Sequence, residues 1–104
     1  MKALFICNQN KHRSKTAEEY FSNSFETKSA GLYNTNPVTS EQLSWADIIF
    51  VMEEAQRDEI AKRFPQEYMK KRILVLDVPD VYNYQQPQLV HVLQEQMQMC
   101  NNLF

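Results

Sequence analysis

The chain has 104 residues, of which 43% are hydrophobic and 23% charged, a balance typical of one small globular domain with its own core. Its net charge of −2 argues against nucleic acid or an anionic membrane as partner, because neither attracts a net negative surface. The sequence contains no apolar run of the ~20 residues needed to span a bilayer, and its N-terminal apolar stretch is too short for a secretion signal. We therefore expect a single cytoplasmic domain over residues 1–104.

The two cysteines, Cys7 and Cys100, stand at opposite ends of the chain. Without an export signal, both are expected to be reduced thiols in a cytoplasm. Two cysteines are too few for a zinc site made of cysteine alone, and the spacing of His12 and His91 completes no common metal motif. We expect neither a metal ion nor another cofactor.

Four apolar segments predict short strands, at residues 2–7, about 27–30, 47–52 and 72–78. The third and fourth segments contain continuous runs of aliphatic and aromatic residues rather than alternating ones. Continuous runs of this kind are typical of strands covered on both faces, as in a parallel sheet.

Helical patterns fall between and after these strands. Ser14 is a good N-cap residue, and Ala17, Phe21 and Phe25 follow it at helical spacing. Residues 53–64 and 86–99 show two further apolar stripes, and Pro87 suits the first turn of the last helix. Alternation of strands and helices predicts an α/β domain with a four-stranded parallel sheet and helices on both faces. Ligands of such sheets bind beyond the carboxyl ends of the strands, where Cys7 is placed.

Residues 7–14, called here the 7–14 loop, carry the chemistry that the sequence suggests. Between a strand and a helix, successive backbone amides can point inward and hold an anion, assisted by the positive end of the helix. Arg13 can offer two parallel donors to a tetrahedral oxyanion, and these cationic surroundings favour a thiolate at Cys7. Phosphate or sulfate is thus expected in this loop, held by Asn8, Gln9, Asn10, Lys11, His12, Arg13 and Ser14.

A thiolate beneath a bound phosphoryl group can attack phosphorus in line and form a cysteinyl-phosphate, which water then hydrolyses. The loop amides and Arg13 would stabilise the charged oxygens in both steps. The alternative interpretation is that Cys7 is only a buried residue at the end of a strand and Arg13 a surface charge. The strand, loop and helix around these residues favour the catalytic interpretation.

The sequence resembles the low-molecular-weight protein tyrosine phosphatase family, and more narrowly its short, truncated members. The family's loop runs Cys-x5-Arg-Ser and continues towards Ala-Glu, as do residues 7–18 here, with Asn10 at the position of a bracing asparagine. Ser-Ala-Gly at residues 29–31 and the segment 47–54, which contains Met-Glu-Glu, match two further motifs in order. Asp80-Val81-Tyr82 resembles the Asp-Pro-Tyr loop that carries the general acid.

The resemblance implies that Asp80 protonates the leaving group and that Tyr82 flanks an aromatic substrate ring. Asp77 is the rival general acid because it lies nearer the end of the fourth strand. Both aspartates could instead be residues that merely form turns.

Four departures from the family pattern stand out. Gln9 replaces a glycine, so the loop depends on Asn8 and Asn10 for any unusual backbone conformation. Lys15 replaces a proline, and His12 stands where many members have a second, protective cysteine. The segment between Gly31 and Trp45 is also shorter than in full-length members, which predicts a shallow pocket.

The function implied is cysteine-dependent hydrolysis of a phosphorylated protein or a small aryl phosphate, most simply phosphotyrosine. One alternative is arsenate reduction on the same fold, which requires further thiols to take up oxidising equivalents. The other alternative is a phosphate-binding module without catalysis, for which the full set of Cys7, Arg13 and Asp80 would be unnecessary.

Overall fold

The computed structural model describes residues 1–100. The strands are β1 (Lys2–Cys7), β2 (Glu26–Gly31), β3 (Ile48–Val51) and β4 (Arg72–Val75). The helices are α1 (Arg13–Tyr20), α2 (Ser40–Trp45), α3 (Glu54–Arg63), α4 (Pro65–Lys70) and α5 (Pro87–Cys100). None of the helices within residues 1–100 combines the length and the apolar character needed to cross a membrane.

The four strands form one parallel sheet in the order β2-β1-β3-β4, which confirms the predicted α/β fold. β1 lies inside the sheet, and its last residue, Cys7, is paired with Gly31 of β2. Cys7 therefore lies at the carboxyl edge of the sheet, between two neighbouring strands.

Helices cover both faces of the sheet, as the continuous apolar strands predicted. On one face, Phe5 of β1 stacks on Phe50 of β3 and on Phe21, and the buried side of α5 contributes Leu89 and Leu93 to the same cluster. On the other face, Leu4 and Ile6 pack in a second cluster with residues of α2 and α3. With both faces buried, the position of Cys7 is set by a rigid core.

Some predicted boundaries were wrong. α1 begins at Arg13 with His12 as its N-cap, so Ser14 lies in the first turn rather than at the cap, and Phe25 lies beyond the helix. β4 ends at Val75, three residues before the predicted end, because Asp77 takes a left-handed φ of 60°. The amides of Leu76 and Val78 nevertheless still donate to carbonyls of the β3 segment.

Two short helices were not predicted. α2 begins after a capping box, in which the Thr39 hydroxyl accepts from the Gln42 amide and the Gln42 side chain accepts from the Thr39 amide. α4 follows α3 directly, and Pro65 occupies its first turn, where the missing amide proton costs nothing.

Candidate active site

A pocket of about 380 Å³ opens at the carboxyl edge of the sheet, where the 7–14 loop meets the segment after β4. It is lined by Cys7, Gln9, Lys11, His12, Arg13, Asp80, Val81, Tyr82 and Asn83. No residue of the short segment between Gly31 and α2 lines it. The structure thus brings together the nucleophile, the arginine and the acid that the sequence singled out from two distant parts of the chain.

Cys7 forms the floor of this pocket and is only 3% exposed. Its Sγ lies 2.9 Å from the Ser14 hydroxyl oxygen and accepts a hydrogen bond of 3.2 Å from the Asn10 amide. These two polar groups converge on one sulfur atom, an arrangement that a merely apolar buried cysteine does not need.

Asn10 has a left-handed φ of 52°. The unusual backbone conformation of the 7–14 loop is therefore at Asn10 and not at Gln9, the position of the family's glycine. Asparagine tolerates this conformation better than most residues. Its Oδ1 accepts a 2.7 Å hydrogen bond from the Ser14 hydroxyl. Asn10, Ser14 and Cys7 therefore form one hydrogen-bonded chain, in which the single Ser14 proton can serve either Asn10 or an ionised sulfur.

Arg13 is 2% exposed, and its guanidinium is held from one side. Its Nη1 donates to Glu53 Oε1 at 2.5 Å and to the Val78 carbonyl at 2.8 Å. Nε lies 3.8 Å from Asp80 Oδ1 across the pocket. The Nε–Nη2 edge is therefore the one that the arginine can present to an anion as two parallel donors.

Gln56 is a buried residue that the sequence analysis did not identify. Its Oε1 accepts from the Met52 and Glu53 amides at 2.7 and 3.0 Å, and its Nε2 donates to Asn8 Oδ1 at 3.1 Å. The side chain thus ties the end of β3 to the 7–14 loop. Glu53 was within a recognised motif, but its contact with Arg13 was not foreseen.

The geometry favours Asp80 over Asp77 as the acid. Asp80 lines the pocket and its side chain is 61% exposed, free to meet a leaving group. Asp77 is not part of the lining, and its carbonyl instead accepts from the Gln96 side chain of α5. Tyr82 also lines the pocket and is half-buried against the core, as expected for a wall residue.

The segment that carries Asp80, residues 76–86, is called here the 76–86 loop, and its far end is fastened to α1 and to the N-cap residue of that helix. The Tyr84 amide donates to His12 Nδ1 at 3.0 Å, and the Gln85 amide donates to Thr16 Oγ1 at 2.9 Å. The Tyr84 hydroxyl and the Gln85 side chain both donate to the Glu19 carboxylate. The hydrogen bond to Glu19 raises the pKa of Tyr84 above its usual value.

Gly31 allows β2 to approach the 7–14 loop. A Cβ at this position would lie 2.5 Å from Asn34 Oδ1 and 3.0 Å from the Asn10 amide nitrogen. We expect Gly31→Ala to destabilise the fold by about 1–3 kcal/mol, the usual cost of overpacking. Urea unfolding measures this, with Ser24→Ala at an exposed position as the control. Equal stabilities of the two variants would contradict the close approach.

No family model matches the chain, and no curated protein sequence matches it. Solved structures do match over nearly its whole length, and the three described here are 18–20% identical to it. An arginine phosphatase, YwlE of Geobacillus stearothermophilus, is 20% identical with a TM-score of 0.76, covering 98% of this chain and 89% of that one. A low-molecular-weight protein tyrosine phosphatase of T. tengcongensis is 19% identical with a TM-score of 0.77, covering 99% and 97%.

The tyrosine phosphatase Wzb of Escherichia coli K30, solved with phosphate, is 18% identical with a TM-score of 0.76, covering 99% and 98%. These similarities show that the chain has the fold of low-molecular-weight protein tyrosine phosphatases. The fold that the sequence motifs implied is thereby confirmed. At this level of identity, what the chain does has to be argued from its own residues.

Proposed function

We propose that the chain is a cysteine-dependent phosphomonoester hydrolase that acts on phosphotyrosine or another aryl phosphate. The observation that carries the proposal is the convergence of Cys7, Arg13 and Asp80 on one pocket. The buried sulfur already accepts a hydrogen bond from a loop amide and contacts the Ser14 hydroxyl. The solved structures with this fold include a tyrosine phosphatase with bound phosphate, which supports a phosphoryl group as the ligand here.

In the first step, the Cys7 thiolate attacks phosphorus, the S–P bond forms and the bond to the leaving oxygen breaks. Asp80 gives its proton to that oxygen, so that an alcohol or a phenol departs. In the second step, Asp80 takes a proton from water, whose oxygen attacks phosphorus and releases phosphate and the thiolate. The amides of residues 8–14 and the free edge of Arg13 would bind the three outer oxygens throughout.

The proposed substrate is a phosphorylated protein or a small aryl phosphate in the cytoplasm, where Cys7 stays reduced. Tyr82, half-buried in the pocket wall, supports an aromatic ring beside the phosphoryl group. The net charge of −2 argues against nucleic acid and anionic membranes as partners.

Arsenate reduction is the rival that shares this anion site. It requires a second thiol near Cys7, yet Cys100 lies at the end of α5 and does not line the pocket. Burial raises the pKa of the Cys100 thiol, which disfavours the reactive thiolate there. The structure therefore offers no thiol relay within residues 1–100.

The test is turnover of p-nitrophenyl phosphate by the purified chain in the presence of EDTA, with orthophosphate as a competitive inhibitor. Phosphotyrosine and phosphoarginine peptides distinguish the two substrate classes named among proteins of this fold. We expect release of phosphate from the tyrosine substrate. Absence of turnover with retained phosphate binding would instead indicate a binding module, and reduction of arsenate with added glutathione would indicate the rival.

Glu53 offers a further prediction, because its carboxylate fixes the guanidinium of Arg13 at 2.5 Å. Glu53→Gln keeps the shape of the side chain but removes a charge-assisted hydrogen bond. We expect kcat/KM to fall about tenfold, the factor that corresponds to the lower end of such a bond's contribution. Glu54→Gln is the control, since the neighbouring Glu54 is exposed and pairs with Arg57 instead. Similar losses in both variants would refute a role for Glu53 in placing Arg13.

A further inference from the structure

His12 joins the two loops that build the pocket. It is the N-cap residue of α1, but its side chain makes no capping hydrogen bond. Instead its Nδ1 accepts the backbone amide proton of Tyr84 at 3.0 Å, across 72 positions of sequence. The imidazole therefore binds the 76–86 loop and does not cap its own helix.

The part of that loop that carries Asp80 is held at two points. At its near end, the Val78 carbonyl accepts from Arg13, and the Val78 amide donates to the Met52 carbonyl. At its far end, the Tyr84 and Gln85 amides donate to His12 and Thr16. Asp80 lies between these anchors, so the distance from its carboxyl group to the floor of the pocket depends on both.

We propose that His12 is a positioning residue, which holds Asp80 within reach of the leaving group by accepting the Tyr84 amide. This inference rests on the proposed phosphatase function and gives a second role to His12, which the sequence placed among the residues that hold phosphate. Its consequence is specific: loss of the tether impairs proton donation to the leaving group and leaves phosphoryl binding by the 7–14 loop largely in place.

The tether requires a neutral imidazole whose proton is on Nε2, because a protonated ring has no lone pair on Nδ1. A side chain that places an acceptor at the position of Nδ1 should therefore keep the tether, and one without an acceptor should release the Tyr84 amide.

The experiment compares two substrates in wild type, His12→Ala and His12→Asn. Phenyl phosphate has a poor leaving group that needs a proton, whereas p-nitrophenyl phosphate has a good one. We expect His12→Ala to lower kcat/KM for phenyl phosphate about tenfold, near the upper limit for one hydrogen bond, and to affect the nitrophenyl substrate less. His12→Asn should recover most of this loss, since its Oδ1 can accept the same amide.

His91→Ala is the matched control, because His91 is an exposed histidine of α5 that pairs with Glu95 and lines neither cleft beside His12. It should leave the ratio of the two substrates near the wild-type value. Equal losses on both substrates in His12→Ala, or a ratio that changes equally in His91→Ala, would overturn the inference while the phosphatase function stands.

Amide hydrogen exchange gives a readout that does not depend on turnover. The Tyr84 amide should be protected in wild type and in His12→Asn and exchange faster in His12→Ala, while amides of β1 keep their protection. Equal exchange at Tyr84 in all three proteins would overturn the proposed tether, even if the chain hydrolysed no phosphate ester. An inactive wild type with the predicted exchange pattern would instead locate the failure in the proposed function.

Discussion

Replacement of Cys7 by serine is expected to remove turnover of p-nitrophenyl phosphate, lowering kcat by on the order of 10⁴-fold or more, as loss of a nucleophile does. A serine hydroxyl fits the same buried position, but it ionises far less readily than a thiol and is the weaker nucleophile. The contacts around the sulfur, from the Asn10 amide and the Ser14 hydroxyl, would remain available to the oxygen. Steady-state kinetics measure the loss.

Two controls make this result specific. Cys100→Ser changes the other thiol, which lies outside the pocket, and should retain turnover. Orthophosphate should still bind to Cys7→Ser, because the loop amides and Arg13 are unchanged; isothermal titration calorimetry checks this. Retained turnover in Cys7→Ser would contradict the proposed mechanism.

Replacement of Asp80 by asparagine is expected to lower kcat/KM for phenyl phosphate by about 10²–10⁴-fold, the usual contribution of general acid catalysis. Asparagine has nearly the same shape but no proton to give. The loss should be much smaller for p-nitrophenyl phosphate, whose leaving group departs without protonation. A comparison of the two substrates therefore separates proton donation from a general disturbance of the pocket.

Asp77→Asn is the control for this prediction, since Asp77 does not line the pocket. Its left-handed φ of 60° is one that asparagine also tolerates, so the fold should survive the change. If Asp77→Asn showed the leaving-group-dependent loss and Asp80→Asn did not, the rival acid would be the correct one.

The sequence predicted the inner strands well because β1 and β3 are buried on both faces. Residues 48–52 form a continuous apolar run without a polar residue, which makes the strand easy to recognise. The predicted bounds of β1, residues 2–7, agree with the structure. The helices α2 and α4 are six residues long each, too short to show a repeating apolar stripe. For α2, the capping residues Thr39 and Gln42 were a usable signal.

The site residues that the sequence predicted lie within two recognisable motifs, the 7–14 loop and the segment with Asp80 and Tyr82. Cys7, Arg13 and Ser14 form one local motif, whereas Glu53 and Gln56 reach the same loop from 40 and 48 positions away. Such contacts depend on the register of β3 beside β1, which no local pattern specifies. Ser14 was predicted as an N-cap from its residue type. In the structure its hydroxyl contacts Asn10 and Cys7 instead of capping the helix amides.

The most direct test of the account is to trap the covalent intermediate. The wild-type chain is mixed with p-nitrophenyl phosphate, quenched within milliseconds, digested and analysed by mass spectrometry. We predict one added phosphoryl group, which is confined to the peptide that contains Cys7. A sample mixed with buffer instead of substrate should lack it. Steady turnover in which no phosphoryl group is ever found on Cys7, or in which it is found on another residue, would contradict the account.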